Sequence, residues 1–192
     1  MLTRTHIRIF VFLAFILISE DVHGWGFFAH QRINRLAVFC LPPEMMQLYK
    51  PHLEYITVHA TDPDKRRYVV AAEGARHYID IDIFDTPPYS NIPHSWQEAL
   101  DKYGADSLNR NGILPWHLEK MLAILTRAFR DKDQQRILQV SAELGHYVAD
   151  AHVPLHVSSN HNGQLTGQHG IHGFWESRIP ELLADRECDY WA

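Results

Sequence analysis

Pairs of metal-ligand side chains recur at helical spacing in the second half of the chain. His146 and Asp150 stand four residues apart, as do His172 and Glu176, and His156 lies between the pairs. Residues four apart share one face of an α-helix, so each pair directs an imidazole and a carboxylate at one point. Zinc takes these nitrogen and oxygen ligands, usually three or four to an ion. Because the stretch from His146 to Glu176 contains no cysteine, the pattern predicts a hydrolytic metal site rather than a zinc finger or an iron–sulfur cluster.

The alternative for any single pair is a plain hydrogen bond between histidine and acid. His146 and Asp150 lie beside the apolar positions of their predicted helix, so both should face inward. Burying them is costly unless they are paired or bind a metal. The succession of two pairs and His156 favours the metal. Other histidines of this region have no partner at helical spacing and are predicted to lie behind the ligands or at the surface: His152, His161 and His169.

Weaker candidates occur earlier in the chain. His30 lies on a predicted first helix, Asp62 lies in the segment ATDPDKRR, and His77 lies in GARHYIDID. A lone histidine is more often a hydrogen-bonded side chain than a ligand, and an acid before proline is commonly a cap. Lys65 and Arg66, which follow Asp62, could contact phosphate or form an exposed charged run.

The elements that must position these residues are predicted to be helices, which makes the fold class all-α. Apolar residues recur at three- and four-residue spacing, and prolines separate the segments. The predicted helices are 27–39, one from about Glu44, one opened by Pro115, one from about Asp133 to His152, and two that meet near Pro180. Only Tyr78–Ile83 alternates as a strand would. No repeat or linker divides residues 25–192, which predicts a single domain.

The first 24 residues have the pattern of a secretory signal peptide. Arg4 and Arg8 precede and flank an apolar run over 9–18, and Val22-His23-Gly24 offers a cleavage site. The run is shorter than the roughly 20 residues that span a bilayer, although a retained anchor is the alternative. Cleavage would make Trp25 the first residue of a mature chain that has no transmembrane segment.

Composition bounds the mature protein further. Removing 24 of 192 residues leaves 168, enough for one domain with a core. The formal charge of −5 argues against non-specific binding to duplex DNA, although a metal cluster adds local positive charge. Cys40 and Cys188 could pair in an oxidising compartment or remain free thiols.

Taken together, these residues resemble the zinc-dependent phospholipase C superfamily, which also contains the single-strand-specific zinc nucleases of fungi and plants. The resemblance runs from Trp25 to about Pro180, and His146-x3-Asp150-x5-His156 is its most specific part. Members are secreted, all-α and built around three zinc ions. The resemblance implies three ligand sets: Asp62, His77, His146 and Asp150 for one zinc; Trp25, His30 and the shared Asp150 for a second; His156, His172 and Glu176 for a third.

The activity that the resemblance implies is hydrolysis of a phosphodiester. Asp150 would bridge two zinc ions that activate a water molecule, and Asp62 could accept the proton of that water. In the nuclease branch an aromatic residue and an acid after the histidine contact a base, which makes Tyr78 and Asp80 candidate substrate contacts. The short loop before His172 and the glutamate at position 176 resemble the phospholipase branch.

The expected function is therefore that of a secreted, monomeric phospholipase C-type enzyme acting on phospholipid. The alternative within the superfamily is a single-strand-specific endonuclease or 3'-nucleotidase acting on single-stranded nucleic acid. Members normally continue for several more helices, whereas this sequence ends at Ala192. A C-terminally truncated member could be a non-catalytic zinc-binding protein. A phosphohydrolase with adjacent His-Asp and an HExxH metalloprotease are disfavoured, because the mature chain contains neither motif.

Overall fold

Prolines and capping residues divide the chain into short helices around two long ones. The computed structural model describes residues 26–187, which are mainly helical and contain no β-strand. The helices are α1 (Phe27–Phe39), α2 (Pro43–Tyr49), α3 (Leu53–Val58), α4 (Asp62–Arg67), α5 (Ile81–Phe84), α6 (Trp96–Tyr103), α7 (Ala105–Asn111), α8 (Leu114–Arg130), α9 (Gln134–Ala151), α10 (Ile171–Gly173) and α11 (Ile179–Glu187). Turns of 3₁₀-helix cover Lys50–His52, His59–Thr61, Ala71–Arg76 and Pro154–His156, and Phe174–Arg178 is π-helical.

The predicted all-α, single-domain class is confirmed for this part of the chain. Three predicted features lie outside the described residues: the signal segment 1–24, the ligand Trp25, and Cys188. Cys40 is exposed. None of the helices within residues 26–187 combines the length and the apolar character needed to cross a membrane.

The two long helices, α8 and α9, form an antiparallel hairpin. Pro115 stands in the first turn of α8, where its missing N–H is not needed. The carboxylate of Asp133 caps α9 by accepting from the backbone N–H of Arg136 at 3.0 Å. The sequence prediction of a helix from Asp133 to His152 is confirmed, because these two residues are the caps of α9.

Apolar side chains on several sides of the hairpin form the core. One cluster joins α9 to α1, α2 and α3, and another lies between α8 and α9. A third packs around Trp116 at the start of α8. The buried members are Val38, Tyr49, Ile56, Ala128, Ile137, Leu138 and Ala142; Leu114, Met121, Val140 and Tyr147; and Ile79, Ala99, Leu108 and Trp116. The first two clusters pack α9 against its neighbours on both sides.

The alternating segment Tyr78–Ile83, which could have been a short strand, does not form one. Residues 78–80 have no regular secondary structure, and α5 begins at Ile81. The N–H groups of Ile79 and Asp80 donate to the carbonyls of His156 (2.9 Å) and Asn111 (2.8 Å), which belong to a 3₁₀ turn and a helix. With no neighbouring strand to pair with among residues 26–187, the alternating pattern serves only to bury Ile79.

The crossing of α1 and α9 depends on Gly145. Asn34 of α1 donates from its side chain to the carbonyl of Ala142 at 2.9 Å, and a Cβ at position 145 would clash with the Asn34 amide. We expect Gly145→Ala to lower the free energy of unfolding by about 1–3 kcal/mol through overpacking. Thermal unfolding of the metal-free protein measures it. Gly74→Ala is the matched control, because a Cβ there meets no atom within 4 Å; an equal loss in that variant would contradict the explanation.

Candidate metal centre

Ionisable side chains from separate segments converge on the inner face of α9. His30 comes from α1, Asp64 from α4, and His77 from the end of the 3₁₀ turn that precedes α5. They meet His146 and Asp150, which lie one helical turn apart on α9. All five side chains are buried, and none is more than 3% exposed. The sequence expectation that the pair on α9 faces inward is confirmed.

Asp150 stands between the histidines and uses both of its oxygens. Oδ2 lies 2.9 Å from His77 Nδ1 and 3.3 Å from His146 Nε2, whereas Oδ1 lies 3.3 Å from His30 Nε2. Burial alone would raise the pKa of Asp150, but the contacts with His146, His30 and His77 hold that pKa well below its usual range. The side chain is therefore an anion with one oxygen directed at each side of the cluster.

Asp64 occupies the place that the sequence analysis gave to Asp62. Its Oδ1 lies 3.8 Å from His146 Nε2 and 3.9 Å from His77 Nδ1, and neither of its oxygens has a hydrogen-bond partner. Asp62 instead contacts His59 Nδ1 at 2.5 Å and Lys65 Nζ at 3.3 Å, with a third of its side chain exposed.

The assignment of Asp62 as ligand and proton acceptor is therefore corrected. Helix α4 begins at Asp62. Two residues along an α-helix correspond to roughly 200° of rotation. A carboxylate at position 62 consequently points away from the cluster when the one at position 64 points into it.

A second cluster forms where the chain returns after α9. His156 lies on the 3₁₀ turn opened by Pro154, and its Nε2 is 3.2 Å from Glu176 Oε1. His172 Nε2 is 2.8 Å from Glu176 Oε2. Burial lowers the pKa of His156, but the contact with Glu176 and the charge of Asp150 outweigh it and raise the pKa to about 9. The structure brings His156, His172 and Glu176 together, as predicted.

Glu176 belongs to the π-helical turn Phe174–Arg178, and such turns are frequent at functional sites. Its backbone carbonyl accepts from the N–H of Gly26 at 3.0 Å. The first described residue of the chain, which follows Trp25 in the sequence, is thus bonded to the segment that carries the second cluster.

The unpaired atoms of both clusters fit a cation. Many of their buried nitrogen and oxygen atoms have no hydrogen-bond partner, and leaving such an atom unpaired costs about 1–3 kcal/mol. Ligand atoms lie within 4.8 Å of one another in three sets: His30, Asp64 and His146; His77, His146 and Asp150; His156, His172 and Glu176. These groups could hold a metal ion, and their nitrogen and oxygen donors suit zinc.

A cavity of about 280 Å³ opens beside the two clusters. Its inner wall contains His77, His156 and His172. Arg67, Tyr78, Asp80 and Arg110 also line it. The hydroxyl of Tyr78 donates to the carbonyl of Arg110 at 3.0 Å, which holds the ring in place. Burial, together with the neighbouring Asp82, raises the pKa of Asp80 to about 6. Contact of Tyr78 and Asp80 with a substrate stays a prediction.

The remaining candidate residues lie at the surface, on the cavity wall or behind the ligands. His152 and His169 are exposed, and His161 lines the cavity. Lys65 pairs with Asp62, whereas Arg66 turns inward to Glu73. Sequence reasoning missed Asp64, Glu73, Arg67 and Arg110. A signal existed for Glu73, because Glu73 and His77 have the same four-residue spacing as the recognised pairs.

Comparison of the chain with protein-family models, with curated proteins and with solved structures finds no match. The resemblance to the zinc-dependent phospholipase C superfamily therefore depends on the residue pattern alone, and the function must be argued from the site.

Proposed function

We propose that this protein is a secreted zinc-dependent phosphodiesterase of the phospholipase C type. The observation that carries the proposal is three sets of buried nitrogen and oxygen ligands, two of which contribute histidines to the wall of one cavity that Arg67 and Arg110 also line. Hydrolytic metal sites use such ligands, and the cavity offers cationic groups to an anionic substrate.

Three zinc ions are proposed, with ligands divided as follows. Asp64, His77, His146 and Asp150 would hold the first; His30 and the shared Asp150 would hold the second, together with Trp25 as the resemblance implies; His156, His172 and Glu176 would hold the third. Bound zinc supplies a Lewis acid for the phosphate oxygens and lowers the pKa of water. The sharing of Asp150 is supported by its two oxygens, which face His77 and His30 separately.

The chain's own groups have three tasks in this proposal. Arg67 and Arg110 attract the phosphate into the cavity and orient it, since guanidinium groups match phosphate geometry. Asp64 would accept the proton of the attacking water, because neither of its oxygens has a hydrogen-bond partner and its Oδ1 faces His146 and His77, with Arg67 Nη1 3.7 Å away. Asp150 remains ionised and keeps the three neighbouring histidines in one arrangement.

Two substrate classes compete for this cavity. Phospholipid is our first choice, from the resemblance of the loop before His172 and of Glu176 to the phospholipase branch. Single-stranded nucleic acid is the second, and it is favoured by the position of Tyr78 and Asp80 on the cavity wall, where a base could stack on the ring and bond to the carboxylate.

The decisive experiment uses purified protein that begins at Trp25 and is loaded with zinc. We expect hydrolysis of bis(4-nitrophenyl) phosphate that a chelator reduces to background and added zinc restores. Activity that survives complete zinc removal would contradict the proposal. Phosphatidylcholine and single-stranded DNA are assayed side by side, and faster cleavage of DNA would establish the nuclease alternative. Zinc uptake without hydrolysis of any of the three would indicate a non-catalytic zinc-binding protein.

A further inference from the structure

Most histidines of the two clusters are oriented by a backbone carbonyl. In each of three rings Nδ1 donates to a carbonyl oxygen, which leaves Nε2 directed at the cluster. The pairs are His146 to Ala60 (2.8 Å), His156 to His77 (2.5 Å) and His172 to His161 (3.0 Å). A hydrogen bond at the outer nitrogen fixes the tautomer and orientation of a metal-binding imidazole. Since the backbone supplies it, no side-chain substitution can remove it directly.

His77 has the opposite orientation. Its Nδ1 faces the cluster, 2.9 Å from Asp150 Oδ2 and 3.0 Å from His146 Nε2. Its Nε2 points outward and has no hydrogen-bond partner among residues 26–187. The carboxylate oxygen Oε1 of Glu73 lies 3.9 Å from this nitrogen. The outer nitrogen of His77 therefore faces a side chain instead of a backbone carbonyl.

Glu73 is buried and rigidly held. Arg66 donates to both of its oxygens, at 2.9 and 3.2 Å, and Arg76 donates to Oε2 at 2.5 Å. The hydroxyl of Tyr147 donates to Oε1. Burial would raise the pKa of Glu73, but the hydrogen bonds from Arg66 and Tyr147 lower it overall, so the side chain is an anion. Arg66 is itself fixed by Glu143 at 3.1 Å.

This network does more than neutralise a buried charge. The carboxylate has a defined position before any metal binds, and one of its oxygens is already directed toward His77 Nε2. Closing the 3.9 Å separation to a hydrogen bond needs only a small rotation of the imidazole.

We propose that Glu73 is a positioning residue for His77, accepting a hydrogen bond from Nε2–H while Nδ1 binds the metal. The bond selects the tautomer with the proton on Nε2 and makes Nδ1 a better ligand. This inference rests on the proposed function, because it needs a metal at the first cluster, but it makes no assumption about the substrate.

The test compares Glu73→Gln with the matched control Tyr147→Phe by zinc affinity, measured by competition with a chromophoric chelator. Mutation of such an outer partner typically lowers metal affinity about 10–100-fold, and we expect that reduction at one site of E73Q, which removes the negative charge that faces His77. Y147F removes a hydrogen bond from the same carboxylate but keeps the charge facing His77, so its zinc affinity should stay within about threefold of wild type. Equal losses in both variants would overturn the proposal in favour of a general effect on folding.

A second measurement, made on the wild-type protein, tests the proposal even if E73Q fails to fold. Long-range ¹H–¹⁵N correlation spectra of the zinc-loaded chain report which ring nitrogen of each histidine carries the proton. We expect Nε2–H at His77 and Nδ1–H at His146, His156 and His172. A proton on Nδ1 of His77 would overturn the inference even if the protein hydrolyses phosphodiesters. Zinc binding with the expected tautomers but no hydrolysis would contradict the proposed function alone.

Discussion

Replacing Asp64 by asparagine is expected to lower zinc affinity at the first cluster on the order of 100-fold or more, whereas Asp62→Asn should leave it within about threefold. Loss of an outer partner already costs about 10–100-fold, and a direct ligand should cost at least as much. The asparagine side chain has nearly the same shape, so the change removes the charge and little packing. Hydrolysis of phosphodiesters should fall with the zinc content.

The contrast between the two variants follows from their surroundings. Asp64 is 3% exposed, and its Oδ1 faces His146, His77 and, at 3.7 Å, Arg67, while neither of its oxygens has a hydrogen-bond partner. Asp62 is partly exposed and already has partners in His59 and Lys65. Exposed pairs of this kind contribute about 0–1 kcal/mol, so D62N should also unfold at nearly the wild-type temperature.

Zinc content by elemental analysis and affinity by chelator competition measure the difference, with circular dichroism to check folding. The result that would reverse our assignment is a loss of zinc in D62N with full retention in D64N. Loss in both variants would mean that α4 turns when the metal binds.

The helices of this protein were largely predictable because their signals are local. The cap at Asp133, the proline in the first turn of α8 and the proline after α9 each act within one turn of chain. The alternation of Tyr78–Ile83 left a short strand open, but alternation leads to a strand only where a partner strand exists. Here its N–H groups bond to His156 and Asn111, contacts that no local pattern reveals.

Some residues of the site were also predictable from local spacing, whereas others depend on tertiary packing. His146 with Asp150, and His172 with Glu176, are recognisable because four-residue spacing brings ligands together within one helix. The choice between Asp62 and Asp64 depends on how α4 is rotated against α9, which is a tertiary property. Local charge spacing does not decide it, since Asp62 has Lys65 three residues on and Asp64 has Arg67. Arg110 reaches the cavity because α7 packs beside Tyr78, whose hydroxyl donates to the Arg110 carbonyl.

The largest effect on function is expected from Asp150→Asn. This carboxylate faces three histidines, and the amide that replaces it would present an N–H₂ donor to some of them. Two of the proposed zinc ions share it, so both should be lost. Since the third set, His156, His172 and Glu176, does not include Asp150, we expect the zinc content to fall to one per chain rather than to zero.

Glu176→Gln is the matched control for this prediction, because it also replaces one buried carboxylate by its amide. It should remove only the third zinc and leave the two that share Asp150. Removal of one stabilising group at a reaction centre costs about 10²–10³ in kcat, and D150N should lose on the order of 10³-fold, because two metals leave together.

The two zinc contents distinguish a shared carboxylate from an ordinary ligand. If Asp150 bound a single metal, D150N and E176Q would each lose one zinc ion. The two oxygens that face His77 and His30 would then not bind separate metals. A D150N protein that retains two zinc ions would therefore contradict the bridging role, whatever its activity. One that retains a single zinc, bound as tightly as in wild type, would show that the cluster at Glu176 is built independently of the one at Asp150.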